Sequence, residues 1–154
     1  MIIVEKAARK LTVFNSRREV IHTCPVSLGS CPEGTKEAEG DGRTPEGTYR
    51  LCTVNRNSKF HAAFGISYPN RADAQRAYIE KRISLADALK ITVCDRLRIR
   101  PPWHTALGGF VMLHGESPEG KTGDWTAGCI AVSNDDIERL MLMCKKGEII
   151  RICP

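Results

Sequence analysis

Phe110-Val111-Met112-Leu113-His114-Gly115 and, beyond a polar loop, Asp124-Trp125-Thr126-Ala127-Gly128-Cys129-Ile130-Ala131-Val132-Ser133-Asn134 decide how this chain is read. His114 closes one short apolar run. Cys129 opens another, in which Ile130 and Val132 take alternate positions. Both runs are bounded by Gly and polar residues, the pattern of strands. The loop between them can fold back, bringing the end of one strand to the start of the next. An imidazole then stands beside a thiol, the minimum for a cysteine nucleophile with a general base. Gly128 permits a tight turn whose backbone N–H groups converge, an oxyanion hole in outline. A His and a Cys at such a separation are by default structural residues, so the surrounding motif has to decide.

The chain has 154 residues, enough for one domain with a real core and too few for two. A hydrophobic content of 42% with 27% charged residues fits a soluble globular protein. The net charge of +5 comes without a Lys/Arg run, which argues against a nucleic-acid binder. It suits a carboxylate-bearing partner, and a plain solvated surface explains it equally well. The opening Met1-Ile2-Ile3-Val4-Glu5-Lys6 carries no basic leader and no cleavage site, so no signal peptide is expected. No apolar run reaches membrane-spanning length. Read literally, the chain is cytoplasmic. Its seven cysteines form no C-x-x-C pair, which excludes a zinc ribbon or a thioredoxin-like motif. No metal is expected. Reduced thiols packed as small core residues fit best, although Cys24 and Cys31 flank a turn and could bridge.

In chain order, Ile2 to Val4 and Leu11 to Asn15 predict a first hairpin. Glu19 to Leu28 alternates, with Val20, His22, Cys24, Val26 and Leu28 on one face of a third strand. His22 is expected as a partly buried strand residue. Gly29 to Gly42 is a charged loop whose side chains are expected in solvent. Arg43-Thr44-Pro45-Glu46-Gly47 turns into a strand from Thr48 to Asn55. His61 is expected to be exposed or structural, with a second cleft histidine as the alternative. Helices are predicted over 71–81 and 85–90, the second started by Ser84 and Asp87. Ile91 to Arg100 alternates apolar and basic residues, predicting a strand with Arg96, Arg98 and Arg100 on one face. Ile137, Leu140, Met141 and Cys144 space a final helix, capped by Ser133, Asn134 or Asp135, with Asp135 and Glu138 forming a capping box. Glu148 to Cys153 is a last strand.

The motif also carries a resemblance. His-Gly followed by Thr-Ala-Gly-Cys-Ile-Ala-Val-Ser-Asn resembles the L,D-transpeptidase family, the YkuD-like catalytic domain that works on bacterial peptidoglycan. Gly40-Asp41-Gly42-Arg43-Thr44-Pro45-Glu46-Gly47-Thr48-Tyr49 is similar to that family's entry strand. Ser58-Lys59-Phe60 with Ile66-Ser67-Tyr68-Pro69-Asn70 resembles its Asp-Trp-Thr-Ala-Gly-Cys branch. The resemblance implies a mainly β (α+β) fold, a β-sandwich or open barrel with a short helical insertion and a C-terminal helix. Residues 1–154 then form one catalytic domain, with 71–108 as an inserted cap beside the cleft.

It also implies the chemistry. Cys129 attacks a stem-peptide carbonyl, His114 serves as base and acid, and a carbonyl near Gly115 orients the ring rather than Asp124. The oxyanion is held by the N–H of Cys129 and of Gly128 or a neighbour. Thr126, Trp125, Arg43 and Tyr68 are the expected substrate contacts. Peptidoglycan stem peptides are the implied partner, the cell envelope the implied compartment, and no cofactor is needed. Two departures stand out: Ala127 replaces the family's usual His, and Ala131 its usual Arg. That Arg meets a substrate carboxylate, so Arg43, Arg56 or the arginines of the insertion have to take the task. Two rivals remain. One is a hydrolase using the same Cys129 and His114. The other is a non-catalytic peptidoglycan-binding module with an inert Cys129.

Overall fold

The computed structural model describes residues 1–154. Eight strands and three helices follow in the order β1 (Ile2–Glu5), β2 (Lys10–Phe14), β3 (Val20–Pro25), β4 (Gly47–Ser58), β5 (His61–Ile66), α1 (Arg71–Ile79), α2 (Leu85–Leu97), β6 (Met112–His114), β7 (Ile130–Ala131), α3 (Asn134–Met143) and β8 (Ile149–Cys153). The strands form one sheet in the order β3-β2-β1-β8-β4-β5-β6-β7. Of the sandwich and the open barrel, the open barrel is realised. The chain leaving β3 returns to the opposite edge, where Ser27 bridges Ala131 and Gly29 bridges Thr126. Strand β4 spans both halves of the curl. Its first residues pair with β8 and the rest with β5.

A cluster of 29 buried residues fills the curl, with Tyr49, Tyr68, Phe64 and Leu113 among its largest side chains. The first hairpin and the last strand form where predicted, with Ile2, Val4, Leu11, Val13, Ile150 and Ile152 buried in the core. Strand β5 was not legible. His-Ala-Ala-Phe-Gly-Ile is buried at every position after the first, so alternation is absent. Its Gly65 is dictated by packing, since a Cβ there would stand 2.2 Å from Thr53 Oγ1.

The strand predicted over Ile91 to Arg100 is instead the second half of α2. Ser84 caps that helix, its side chain accepting from the Asp87 N–H, and the helix runs on to Leu97. The alternation that suggested a strand covers only the last turn and the exit, where Arg98 turns left-handed with φ 57° and stops the helix. Ala88 and Ile91 face inward against α1. Arg96, Arg98 and Arg100 are exposed and share no strand face. In α3 the cap is Ser133 with Asp136, not Asp135 with Glu138. The Asp136 N–H donates to Ser133 Oγ at 3.0 Å, and the Ser133 hydroxyl donates back to Asp136 Oδ2 at 2.6 Å. His22 Nε2 lies 3.0 Å from Asp136 Oδ1 and ties β3 to α3. Every cysteine is free, so the Cys24–Cys31 bridge does not form.

The loop from Gly29 to Gly42 is only partly solvated. Lys36 is 3% exposed and pairs with Asp41 at 2.8 Å. Lys6, 2% exposed, reaches into the same region and pairs with Glu46 at 2.7 Å. A buried ammonium that loses its counter-ion is left uncompensated. Glu46→Ala is therefore expected to destabilise the fold by about 3 kcal/mol, read from urea unfolding. An effect under about 1 kcal/mol would mean that the backbone carbonyls around Lys6 suffice.

Candidate active site

Strands β6 and β7 run parallel, with Leu113 beside Ile130 and His114 beside Ala131. Extending that register by one residue sets Cys129 beside Met112, two positions from His114 and on the same face. Both side chains line one cavity of about 550 Å³. The thiol is half-buried; the imidazole is 1% exposed.

His114 Nδ1 lies 2.7 Å from the Gly115 carbonyl, which can only accept. The proton is thereby assigned to Nδ1, and Nε2 keeps its lone pair. The Phe60 ring stacks on the imidazole at 4.3 Å, and Trp125 meets it edge-on at 5.7 Å, so the ring is clamped as well as oriented. Gly115 is required at its place, because a Cβ would come within 2.5 Å of Asn134 Oδ1 and 2.7 Å of the Phe60 carbonyl. Burial holds the imidazole below its ordinary pKa, opposed by the Gly115 hydrogen bond. Burial likewise raises the Cys129 thiol, opposed by the Met112 N–H and by Lys36 and Lys59. The sulfur accepts from Met112 N at 3.4 Å, and its S–H points to the Phe110 carbonyl at 3.6 Å. No Cys129–His114 hydrogen bond is formed at rest. Burial thus favours a neutral thiol and a neutral imidazole over a thiolate–imidazolium ion pair.

The turn before Cys129 is braced from within. Thr126, buried, donates its hydroxyl to the Cys129 carbonyl at 2.7 Å and accepts the Gly128 N–H at 3.1 Å. The Gly128 N–H is therefore not available to an oxyanion. The N–H groups of Ala127 and Cys129 have no acceptor within the protein. Gly128 has φ 129°, and a Cβ would stand 2.6 Å from the Arg43 carbonyl. Asp124 does not touch His114. It accepts two hydrogen bonds from Arg9, at 3.0 and 2.7 Å, and one from the Leu28 N–H at 2.9 Å.

Trp125 and Thr126 line the cavity; Arg43 and Tyr68 do not. Tyr68 is fully buried, and its hydroxyl donates to the Leu107 carbonyl at 3.2 Å. Arg43 serves the site through its backbone, while its guanidinium faces Glu37 at 4.0 Å. Arg56, Arg96, Arg98 and Arg100 lie outside the cavity as well. His61 sits on the surface, 2.7 Å from Glu138 of α3. The cations that do line the cavity are Lys59 and Lys121. Lys59 was visible in the Ser-Lys-Phe motif, but nothing in its spacing gave its direction. From the 71–108 segment, Trp103 packs on Phe110 at 4.8 Å, and Phe110 forms part of the cavity wall.

The model of the YkuD L,D-transpeptidase catalytic domain matches residues 1–152. The chain belongs to this family. No curated protein matches its sequence. Among solved structures, the YkuD domain here is similar to the helical cell shape determining protein Pgp2 from Campylobacter jejuni, at 20% identity and a TM-score of 0.66. That match covers 98% of this chain and 46% of Pgp2. Bdellovibrio bacteriovorus Bd1075 matches at 26% identity and a TM-score of 0.63, over 99% of this chain and 46% of that one. Mycobacterium tuberculosis L,D-transpeptidase 1 matches at 16% and 0.55, over 99% and 60%. The chain thus spans less than half the length of Pgp2 and Bd1075. With these relatives it shares the curled sheet.

A neutral resting pair has a measurable consequence. Cys129 alkylation by iodoacetamide should rise only in the alkaline range, with a midpoint above the ordinary thiol value of 9.0. The exposed Cys31 should react first at pH 7, by peptide mass spectrometry. Fast Cys129 labelling at pH 6 would instead reveal a resting ion pair.

Proposed function

We propose that this YkuD domain is a cysteine-dependent L,D-transpeptidase acting on peptidoglycan stem peptides. The observation that carries this reading is the pairing, in one cavity, of a thiol with an imidazole whose free nitrogen is fixed by the Gly115 carbonyl. Cys129 Sγ attacks the carbonyl carbon between the third residue of a tetrapeptide stem and its terminal D-Ala. His114 Nε2 takes the thiol proton as the C–S bond forms, so the thiolate need not exist at rest. The oxyanion is received by the N–H groups of Cys129 and Ala127, the two donors at this turn left without an acceptor. The His114 proton passes to the departing amine, the C–N bond breaks and D-Ala leaves a thioester. A second stem's side-chain amine resolves it and gives a 3→3 cross-link; a free D-amino acid in its place gives exchange.

Lys59 and Lys121 take the carboxylate-binding task that the family's arginine performs and that Ala131 cannot. Thr126 acts by bracing the turn, and Trp125 by walling the cavity against the imidazole. A cell-envelope location follows from this substrate. No helix of the protein is long and apolar enough to cross a membrane.

Mass spectrometry of a disaccharide-tetrapeptide incubated with the protein, with and without D-methionine, tests the reading. Loss of D-Ala with dimer or D-Met product is expected, and Cys129→Ala should abolish it without unfolding the chain. Tripeptide alone would convert the assignment to an L,D-carboxypeptidase. An unchanged tetrapeptide would leave a cross-link hydrolase or a binding module.

The pH profile is a second test. The base must be neutral to accept, and burial keeps His114 neutral below its ordinary 6.5. The acid limb of kcat/KM should therefore fall below pH 6.5, and a limb above that value would remove His114 as the base.

A further inference from the structure

The loop between β3 and β4 buries a lysine for which the chemistry above has no use. Lys36 is 3% exposed, in a segment whose other cation, Arg43, faces outward. Its Nζ donates to the Ala38 carbonyl at 3.0 Å and to Asp41 Oδ1 at 2.8 Å, which leaves one of its three N–H groups uncommitted. The same nitrogen lies 3.6 Å from where a Cβ on Gly128 would stand. Lys36 does not line the cavity. It stands instead against the turn that presents the nucleophile.

Burying an ammonium is unfavourable unless it is paired and hydrogen-bonded, which Asp41 and the Ala38 carbonyl do for Lys36. Anchoring the loop does not require it, since Lys6 and Glu46 already tie this region to β1. Asp41 accepts the N–H groups of Glu37, Ala38 and Arg43 as well as Lys36, so it folds the loop around the cation.

On the reading that Cys129 is the nucleophile, we propose that Lys36 is an electrostatic positioning residue for it. The buried ammonium behind the Gly128–Cys129 turn favours the thiolate and the oxyanion that follows, and Asp41 sets how much of that charge is felt. The other charged or titratable groups around Cys129 are His114, Lys59 and Lys121, all from the cavity side. No carboxylate lines the cavity. Lys59 and Lys121 are exposed and screened by salt; Lys36 is buried and is not.

A charge role and a bracing role predict different signs. The test follows Cys129 alkylation by the neutral reagent iodoacetamide against pH, in the full chain, with Cys31 as internal control. One unit of pKa is a factor of ten in thiolate fraction below the pKa, so Lys36→Met should slow Cys129 roughly three- to tenfold at pH 8. Asp41→Asn leaves the ammonium unneutralised and should speed it. Lys36→Arg should stay near the parent rate. The double variant K36M/D41N, which carries neither charge, should react faster than K36M and slower than D41N. Each variant is first checked for a parent-like unfolding transition, and one without it is judged through the double variant and Lys36→Arg. Slowing by both K36M and D41N, or no change in either, would overturn the proposal and leave Lys36 as a loop brace. The tetrapeptide assay remains separate. If the alkylation signs hold while the parent chain leaves tetrapeptide intact, Lys36 keeps its role and the proposed function falls.

Discussion

The site depends on one close approach, Gly128 against the carbonyl of Arg43. With no side chain at 128 and φ at 129°, the turn before Cys129 lies flat on the segment that leads into β4. That contact brings together parts of the chain far apart in sequence. The bridges from Ser27 to Ala131 and from Gly29 to Thr126 run beside it and join the two edges of the sheet. Asp124 completes the closure by tying Arg9 and the Leu28 N–H to the start of the turn. The contacts that close the curl also shape the turn before Cys129. A residue that cannot make the turn opens the barrel as well.

The imidazole and the thiol are held by different means. His114 is fixed by a carbonyl acceptor and by two aromatic rings, which leave it one orientation and one tautomer. Cys129 is held by backbone groups of the neighbouring strand, Met112 N–H and Phe110 C=O. Burial drives both toward their neutral forms. The cations nearby are Lys59 and Lys121 in the cavity and Lys36 behind the turn, and Lys36 and Lys59 favour negative charge at the sulfur.

The fold reads from the sequence where burial is one-sided. The first hairpin, β8 and α3 expose one face and bury the other, and each shows its period. β5 is buried on both faces and has no period to show. α2 exposes Leu85, Leu89, Val93 and Leu97, each more than half accessible, and buries little beyond Ala88 and Ile91. Its apolar stripe therefore misleads, and the basic alternation at its end imitates a strand. The loop holding Lys36 reads as solvated because a buried ion pair leaves the same composition as an exposed one.

What the sequence by itself determined is the family, and it pointed to His114 and Cys129 as neighbours in one site. Those rest on short-range features, a Gly-Cys turn and a His-Gly strand end. The orienting carbonyl next to His114 is local in the same sense. Tertiary structure decided which other groups share the cavity. Tyr68 and Arg43 belong to recognisable motifs, yet Tyr68 is taken by the core and Arg43 is used for its backbone. Lys59, Lys121 and Phe110 reach the cavity through hairpin and loop geometry, which depends on how the sheet curls. Direction of a side chain relative to a distant one is a property of packing, and no local spacing encodes it.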